Sequence, residues 1–551
     1  MSIQLPDGKE AWRRRQAHMW MAVCIVAGLA NVYVYAAVLH WLPSLLTGMF
    51  LLAIPAAYYG LPAAWALLQR LLLLLPAEGD GRVDSVLIGV TDDDRRRPLC
   101  WLDRQREAPT LVLGGTRRGK STFQAYITSQ DIRRGKTVIV VDPHRDLALN
   151  LLPACLETHR EVVWFEPGDP ERIPGYNPLE VRDGWSPMAR AKMVVDAVVR
   201  IWFPFTAEIP MRIIDSLTHV LHLLSANGCT LLEVPRVLLQ DGFRNFLAEK
   251  VFDTGLREWL AWFNGLTPQQ RYEQVTSTLI RLNQLIHHPD AALVLGQERS
   301  TFSLADAIAG RQVFLAALTS ARLQSAAHLL GGFLTTELIY LLMRRLTASF
   351  ESRQAVYVVF DEFDQIVPEA IKDFVSQAGK TGCRLTLIGQ SPRMIDPRIR
   401  DAVLANCTNR ILFGLIGPEA MELAQQVFEP DPRLVKEVIA DVRPVYYTPQ
   451  EQWAFWAARL QELPPHTYFV VTQNSSGARR LRLPRFEPHP AEELEMLRRD
   501  VLERATRPRA EVVEEIQRRR RELDRRFGPL DEGLPLPPGE EPPGPRVHAP
   551  F

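Results

Sequence analysis

One eight-residue stretch constrains the fold of this chain more than any other: Gly114-Gly-Thr-Arg-Arg-Gly-Lys-Ser121, placed directly behind the apolar run Thr110-Leu-Val-Leu113. A strand that empties into G-x-x-x-x-G-K-[ST] turns several backbone N–H groups toward one point. The lysine and hydroxyl at its end suit a polyphosphate and its metal. A plain glycine turn with a surface lysine would explain the eight letters, but not their setting. An apolar strand precedes them, the helix-compatible Ser121–Arg133 follows, and a second acidic motif lies downstream. The spacing predicts nucleotide contacts from Gly114, Gly115, Thr116, Arg117, Arg118, Gly119, Lys120, Ser121 and Thr122. Lys120 is expected on the β- and γ-phosphates and Ser121 on Mg²⁺, so ATP and Mg²⁺ are the expected cofactors and ATP hydrolysis the expected chemistry.

The second motif is Ala355-Val-Tyr-Val-Val-Phe360 followed by Asp361-Glu362. Phosphoryl transfer to water needs a metal and an oriented nucleophile. Asp361, at the strand end, is predicted to join Ser121 in holding Mg²⁺, and Glu362 to polarise the attacking water. The next apolar run, Cys383–Ile388, ends in Gly389-Gln390-Ser391-Pro392, where the Gln390 amide is placed to meet a γ-phosphate.

Seven apolar runs read as strands buried on both faces: 110–113, 137–141, 161–165, 312–318, 355–360, 383–388 and 409–415. They alternate with helical stretches, the pattern of a parallel sheet with crossover helices. Between 189 and 308 the strand signal fades. Ile213, Ile214, Leu217, Val220 and Leu224 recur there at helical spacing, which predicts an inserted all-α domain. Residues 77–97 read as a linker with a short strand at 86–90. The α/β core is expected over 77–188 and 309–485, and exposed charged helices over 486–527, where the run Arg518–Arg521 reads as a solvated face. The Pro- and Gly-rich residues 528–551 are expected to be disordered.

From Met19 to Leu75 the only charge is Arg70. A spanning helix takes about 20 apolar residues, so spans at 19–39 and 45–68 are expected within an N-terminal hairpin over 1–76. Arg13, Arg14 and Arg15 precede the first span, and Arg70 and Arg82 follow the second. This places both termini in the cytoplasm of a multi-pass protein of the inner membrane. A cleaved signal peptide fits less well, because the apolar region is too long and lacks a small-residue cleavage site.

Lys+Arg and Asp+Glu are equal at 64 each, and only eight of the cations are lysines. No global basic field announces nucleic acid, so any such contact must be local. Cys24, Cys100, Cys155, Cys229, Cys383 and Cys407 form no C-x-x-C pair, which argues against zinc or iron–sulfur sites. His219 and His222, three apart, have no third metal ligand near them in sequence.

A third element, Asp142-Pro-His-Arg-Asp-Leu147, closes the strand after the phosphate loop. Together with that loop, Asn177-Pro-Leu179, the helical stretch, Asp361-Glu362 and Gln390-Ser-Pro392, it resembles the FtsK/HerA superfamily of DNA-translocating ATPases. The two-span N-terminus is similar to that of the membrane-anchored conjugative coupling proteins of type IV secretion. The resemblance implies a RecA-like P-loop core with a mainly parallel sheet, a homo-oligomer (a hexameric ring) with ATP between subunits, double-stranded DNA as the translocated substrate, and relaxase or secretion partners. It also implies Lys120, Glu362 and Gln390 as catalytic groups and an arginine acting in trans, for which Arg410 is the first choice and Arg384 the second, with Arg393 also near a strand end. The chain departs from the family in carrying Arg118 and Arg145 where glycine is common; Arg118 is expected to point to solvent. A type IV secretion or pilus ATPase acting on protein is the principal rival reading. A nucleotide-switched membrane scaffold is disfavoured by Glu362, and an ABC transporter by the lack of a Leu-Ser-Gly-Gly-Gln-like signature.

Overall fold

The computed structural model describes residues 85–93, 96–202, 211–366, 371–439, 443–472, 478–484, 486 and 489–530. The expected spans at 19–39 and 45–68 and the tail from 531 lie outside them. Fifteen strands occur among the described residues: β1 (Ser85–Thr91), β2 (Pro98–Leu102), β3 (Thr110–Leu113), β4 (Thr137–Asp142), β5 (Val162–Phe165), β6 (Arg172–Ile173), β7 (Val313–Ala317), β8 (Val356–Phe360), β9 (Cys383–Gly389), β10 (Asn409–Phe413), β11 (Val435–Ile439), β12 (Arg443–Tyr446), β13 (Thr467–Val471), β14 (Arg479–Arg482) and β15 (Arg507–Pro508).

Eleven of them form one sheet in the order β2-β1-β14-β13-β10-β3-β9-β8-β4-β7-β5. The seven from β10 to β5 run parallel and coincide with the seven apolar runs of the sequence. Every residue of β3, β4, β7 and β8 is buried, as a sheet covered on both faces requires. On the β10 side, β13, β14, β1 and β2 continue the sheet antiparallel. Residues 85–91 are therefore not part of a linker; they are an integral strand.

Helices α1 (Lys120–Arg133) and α2 (Asp146–Glu157) follow β3 and β4. Between β6 and β7 the described chain is helical, beginning with α3 (Pro187–Trp202) and α4 (Met211–Ala226) and including α5 (Pro268–Ile286) and α6 (Pro289–Leu295). This stretch shares one compact unit with the sheet. The join is polar and buried. Arg190 and Glu337, both with side chains 0% exposed, pair at 2.6 Å, and Tyr176 donates to the other Glu337 oxygen at 2.8 Å. Glu337 lies on α7 (Ser325–Arg344). The stretch Ala326–Thr347 is the one described helix long and apolar enough to cross a bilayer, yet 78% of its apolar window is buried within the protein, so it is a core helix.

The Asn177-Pro-Leu element ties this join together. Asn177 Nδ2 donates to the carbonyls of Cys229 and Glu298, and its Oδ1 accepts from Leu179 N.

The C-terminal helices carry the exposed charge expected of them, with Arg518, Arg520 and Arg521 exposed, and each also has a side packed on the rest of the unit. Leu494, Val501 and Leu502 of α8 (Ala491–Leu502) are buried, and Arg498 bridges Glu166 and Asp169, each at 2.8 Å. On α9 (Arg509–Phe527), Arg519 pairs with Glu233 at 3.1 Å and donates to the Gly296 carbonyl at 2.6 Å. Arg509 pairs with Asp290 at 2.7 Å. Val427–Phe455 belongs to a separate unit, in which β11 and β12 form an antiparallel hairpin and Lys436 pairs with Glu451 at 2.6 Å.

Candidate active site

Parallel strands deliver their loops to one edge, and four of those loops meet here. The loop after β3 opens with Gly114, whose N–H donates to the Gln390 carbonyl at 3.1 Å, and Gly115 N–H donates to Gly414 O at 2.9 Å. A Cβ on Gly114 would stand 2.4 Å from Phe413 Cβ. Gly119 has φ +101°, a region L side chains rarely adopt, and a Cβ there would lie 2.6 Å from His466 Nδ1. Glycine is required at both positions, for close approach in the first case and for backbone conformation in the second.

No side chain caps the N-terminus of α1. Its first-turn N–H groups and the positive end of its dipole thus face the loop, which suits an anion. Lys120 is 7% exposed. Its Nζ donates to the Gly114 and Gly115 carbonyls at 2.7 and 3.2 Å, which places the ammonium inside the loop. Burial lowers its affinity for a proton, and Glu362, Asp361 and Asp364 partly restore it. Ser121 is exposed and Thr122 half-buried.

Across from the loop stand the carboxylates. Asp361 N–H donates to the Val141 carbonyl at 3.0 Å, which sets Asp361 beside Asp142 at the ends of adjacent strands. Asp142 is fully buried and accepts from His144 N at 2.8 Å and Ala148 N at 3.0 Å. Burial raises the Asp142 pKa. Burial, then the neighbouring Asp142 and Glu362 charges, push Asp361 up to about 8. Glu362 is 9% exposed with φ +42°. Its Oε2 and Asp364 Oδ1 are both buried without a hydrogen-bond partner, and Gln390 Nε2 stands 3.5 Å from Glu362 Oε1. The carboxyl groups of Asp142, Asp361, Glu362 and Asp364 gathered here suit a hard cation such as Mg²⁺.

Asp142 and Asp364 are members of the site that the sequence reading did not assign. The Asp142-Pro-His-Arg element was visible, but its closeness to Asp361 follows from β4 lying next to β8. His466, which closes the back of the loop, carried no sequence signal.

Two expectations are corrected. Arg118 does not point to solvent; its Nη1 donates to the Leu463 carbonyl at 3.2 Å. Arg410 lies early in β10, paired in register with Leu111, whereas the phosphate loop leaves β3 after Leu113. Its guanidinium donates to the carbonyls of Cys407, Leu404 and Gln426 at 3.2, 2.6 and 3.2 Å. Those bonds hold it at the far end of the strand and do not leave it presented to a neighbour. Arg384 is likewise near the start of its strand, pairing with Glu107 at 2.8 Å. Of the three arginines, Arg393 alone follows the carboxyl end of its strand; its side chain is 54% exposed and pairs with Glu422 at 2.7 Å. Arg145, where glycine is common in the resembling family, has the φ of +75° that glycine would adopt freely.

No protein-family model matches the chain, and no curated protein matches it. Among solved structures, the chain is similar to the plasmid coupling protein TrwB in complex with ADP and Mg²⁺, at 15% identity and a TM-score of 0.54, over 76% of this chain and 93% of that one. It is also similar to TrwB in complex with the GTP analogue GDPNP, at 14% identity and a TM-score of 0.52, over 75% and 92%. The likeness is one of fold.

Proposed function

We propose that this chain is a membrane-anchored ATPase that moves double-stranded DNA, working as a ring of identical subunits whose cargo is DNA passed out of a cell. The observation that carries the nucleotide chemistry is the convergence of Lys120, Asp361, Glu362 and Gln390 on one strand edge around an uncapped helix N-terminus. The fold shared with TrwB, one of whose structures holds ADP and Mg²⁺, supports the same reading.

In this account Lys120 leaves the Gly114 and Gly115 carbonyls for the β- and γ-phosphates of ATP. Mg²⁺, held by Ser121 and Asp361, would offset phosphate charge. Glu362 orients the attacking water and accepts its proton, and Gln390, already beside Glu362, registers the γ-phosphate. Arg393 is the arginine best placed to serve a neighbouring subunit's site; elsewhere such a residue is worth about 10³–10⁵ in rate. DNA would be gripped through its phosphates, without sequence readout. Residues 1–76 would anchor the ring, and relaxase or secretion proteins would be its partners.

The test is the ATPase rate of the purified full chain with and without linear double-stranded DNA over a salt series. Stimulation that fades as salt rises is expected, because phosphate contacts release counterions. A rate indifferent to DNA at every salt concentration would instead support a motor acting on protein.

A further inference from the structure

The crown of the phosphate loop, Thr116 to Arg118, borders a cleft of about 450 Å³ that Leu415, Ile416 and Pro465 also line. Thr116 and Arg117 are exposed, and Arg117 has φ +58°. Of the side chains at 116–118, that of Arg118 alone hydrogen-bonds to another described residue, Nη1 donating to the Leu463 carbonyl at 3.2 Å. Its guanidinium lies against Gly414, where a Cβ would stand 3.3 Å from Nε and 3.4 Å from Cζ. The Arg118 carbonyl accepts from His466 N at 3.0 Å. Side chain and backbone of one residue thus tie the crown to the end of β10 and to the turn before β13.

The foot of the loop is held differently. Gly114 C=O and Gly115 N–H belong to one peptide group, whose oxygen accepts from Lys120 Nζ at 2.7 Å while its N–H donates to the Gly414 carbonyl at 2.9 Å. When Lys120 leaves the Gly114 and Gly115 carbonyls for phosphate, the loop loses both of those internal bonds. An N–H whose own carbonyl no longer meets an ammonium is also a weaker donor, so the hold on Gly414 slackens at the same moment. The shape of the loop then depends on the crown, and there Arg118 is the side chain that reaches the surroundings. Glycine at this position, common in the resembling family, supplies no such tie.

We propose that Arg118 is a positioning residue, an inference that rests on the nucleotide reading of this site. Its side chain touches no phosphate; it keeps the crown in the nucleotide-binding shape by fastening it across Gly414 to Leu463. A loop ordered beforehand spares the binding step the cost of ordering it, so the effect falls on affinity and leaves the chemical step alone.

The experiment compares the native full chain with Arg118→Ala and Arg118→Lys. It measures binding of a fluorescent non-hydrolysable ATP analogue with Mg²⁺, and steady-state ATPase kinetics, at low and high salt. In Arg118→Ala, Kd and the KM for ATP should both rise about fivefold to tenfold, the scale of one hydrogen bond in a partly exposed setting. The kcat should stay within about twofold, and the rise should be the same at both salts. Arg118→Lys keeps a donor for the Leu463 carbonyl but no flat group to cover Gly414, so it should recover part of the loss. Without nucleotide, amide exchange at His466 should quicken in Arg118→Ala. Unmoved Kd and KM, a fall in kcat without a rise in KM, or unchanged exchange at His466 would overturn the proposal. So would a loss that lysine restores in full and that shrinks as salt rises, the mark of a charge acting on phosphate. A native chain that binds no nucleotide would sink the nucleotide reading and the proposal together, whereas native binding with Arg118→Ala unmoved would sink the proposal alone.

Discussion

Gln390 Nε2 lies 3.5 Å from Glu362 Oε1, so the amide at the end of β9 and the carboxylate after β8 already face each other across the mouth of the phosphate loop. The other Glu362 oxygen is buried and unpaired. Glu362→Gln keeps the shape, removes the charge and leaves no proton acceptor for water. Hydrolysis should fall at least about 10²-fold, while binding of a fluorescent ATP analogue persists. Native turnover in this variant would remove Glu362 from the mechanism.

Lys120 has only its own loop's carbonyls and the nearby carboxylates as partners. In Lys120→Ala, ATPase activity should drop by about 10²–10³ or more, the scale of losing one preorganised charge-stabilising group. Tm should move by no more than a few degrees, because the substitution also relieves the cost of burying a charge. A collapse of Tm would recast Lys120 as a structural residue.

Gly119→Ala tests the loop itself. The new methyl would sit 2.6 Å from His466 Nδ1 at a φ of +101°, a backbone strain of about 1–3 kcal/mol before the clash is counted. Loss of nucleotide binding with a lowered Tm is expected. Pairing the change with His466→Gly should recover stability in part, and failure of that pairing would mean the contact is not what excludes alanine.

Asp361 gives a pH signature. Its folded value, pushed up to about 8 by burial, Asp142 and Glu362, lies above the unfolded value of about 3.9. The raised value makes the group favour folding at low pH and cost stability as pH climbs from about 4 through about 8. Metal coordination needs the ionised form. Apparent Mg²⁺ affinity, read by calorimetry in two buffers of different ionisation enthalpy, should rise from about pH 6 to 8 with proton release. Asp361→Asn should abolish hydrolysis yet raise Tm at neutral pH.

The buried pair Arg190–Glu337 should be costly to break. Glu337→Ala strands a guanidinium that has no exposure and removes the acceptor for the Tyr176 hydroxyl. A loss of about 3–5 kcal/mol is expected in denaturant unfolding, with Arg190→Met/Glu337→Leu less damaging than either single change.

Much of this was legible in the residues. Runs such as Val138–Val141 and Val356–Phe360 are too apolar to be anything but doubly covered strands, and all seven parallel strands were readable for that reason. The antiparallel extension was not, because β14 is Arg-Arg-Leu-Arg, with one buried residue in four. The loop and the Asp361-Glu362 pair are local patterns and could be read directly. Asp142 could not be assigned, since only the neighbouring of β4 and β8 carries it to Asp361. The position of Arg410 was contained in the sequence as well: in a parallel sheet the start of a strand lies at the opposite edge from the phosphate loop.

The most direct measurement of the central claim is displacement of a third strand from a DNA triplex by the full chain in ATP and Mg²⁺. The account predicts ATP-dependent displacement by the native chain and none by Glu362→Gln. Brisk ATP hydrolysis with no displacement on any duplex end would contradict it and leave a motor whose substrate is not double-stranded DNA.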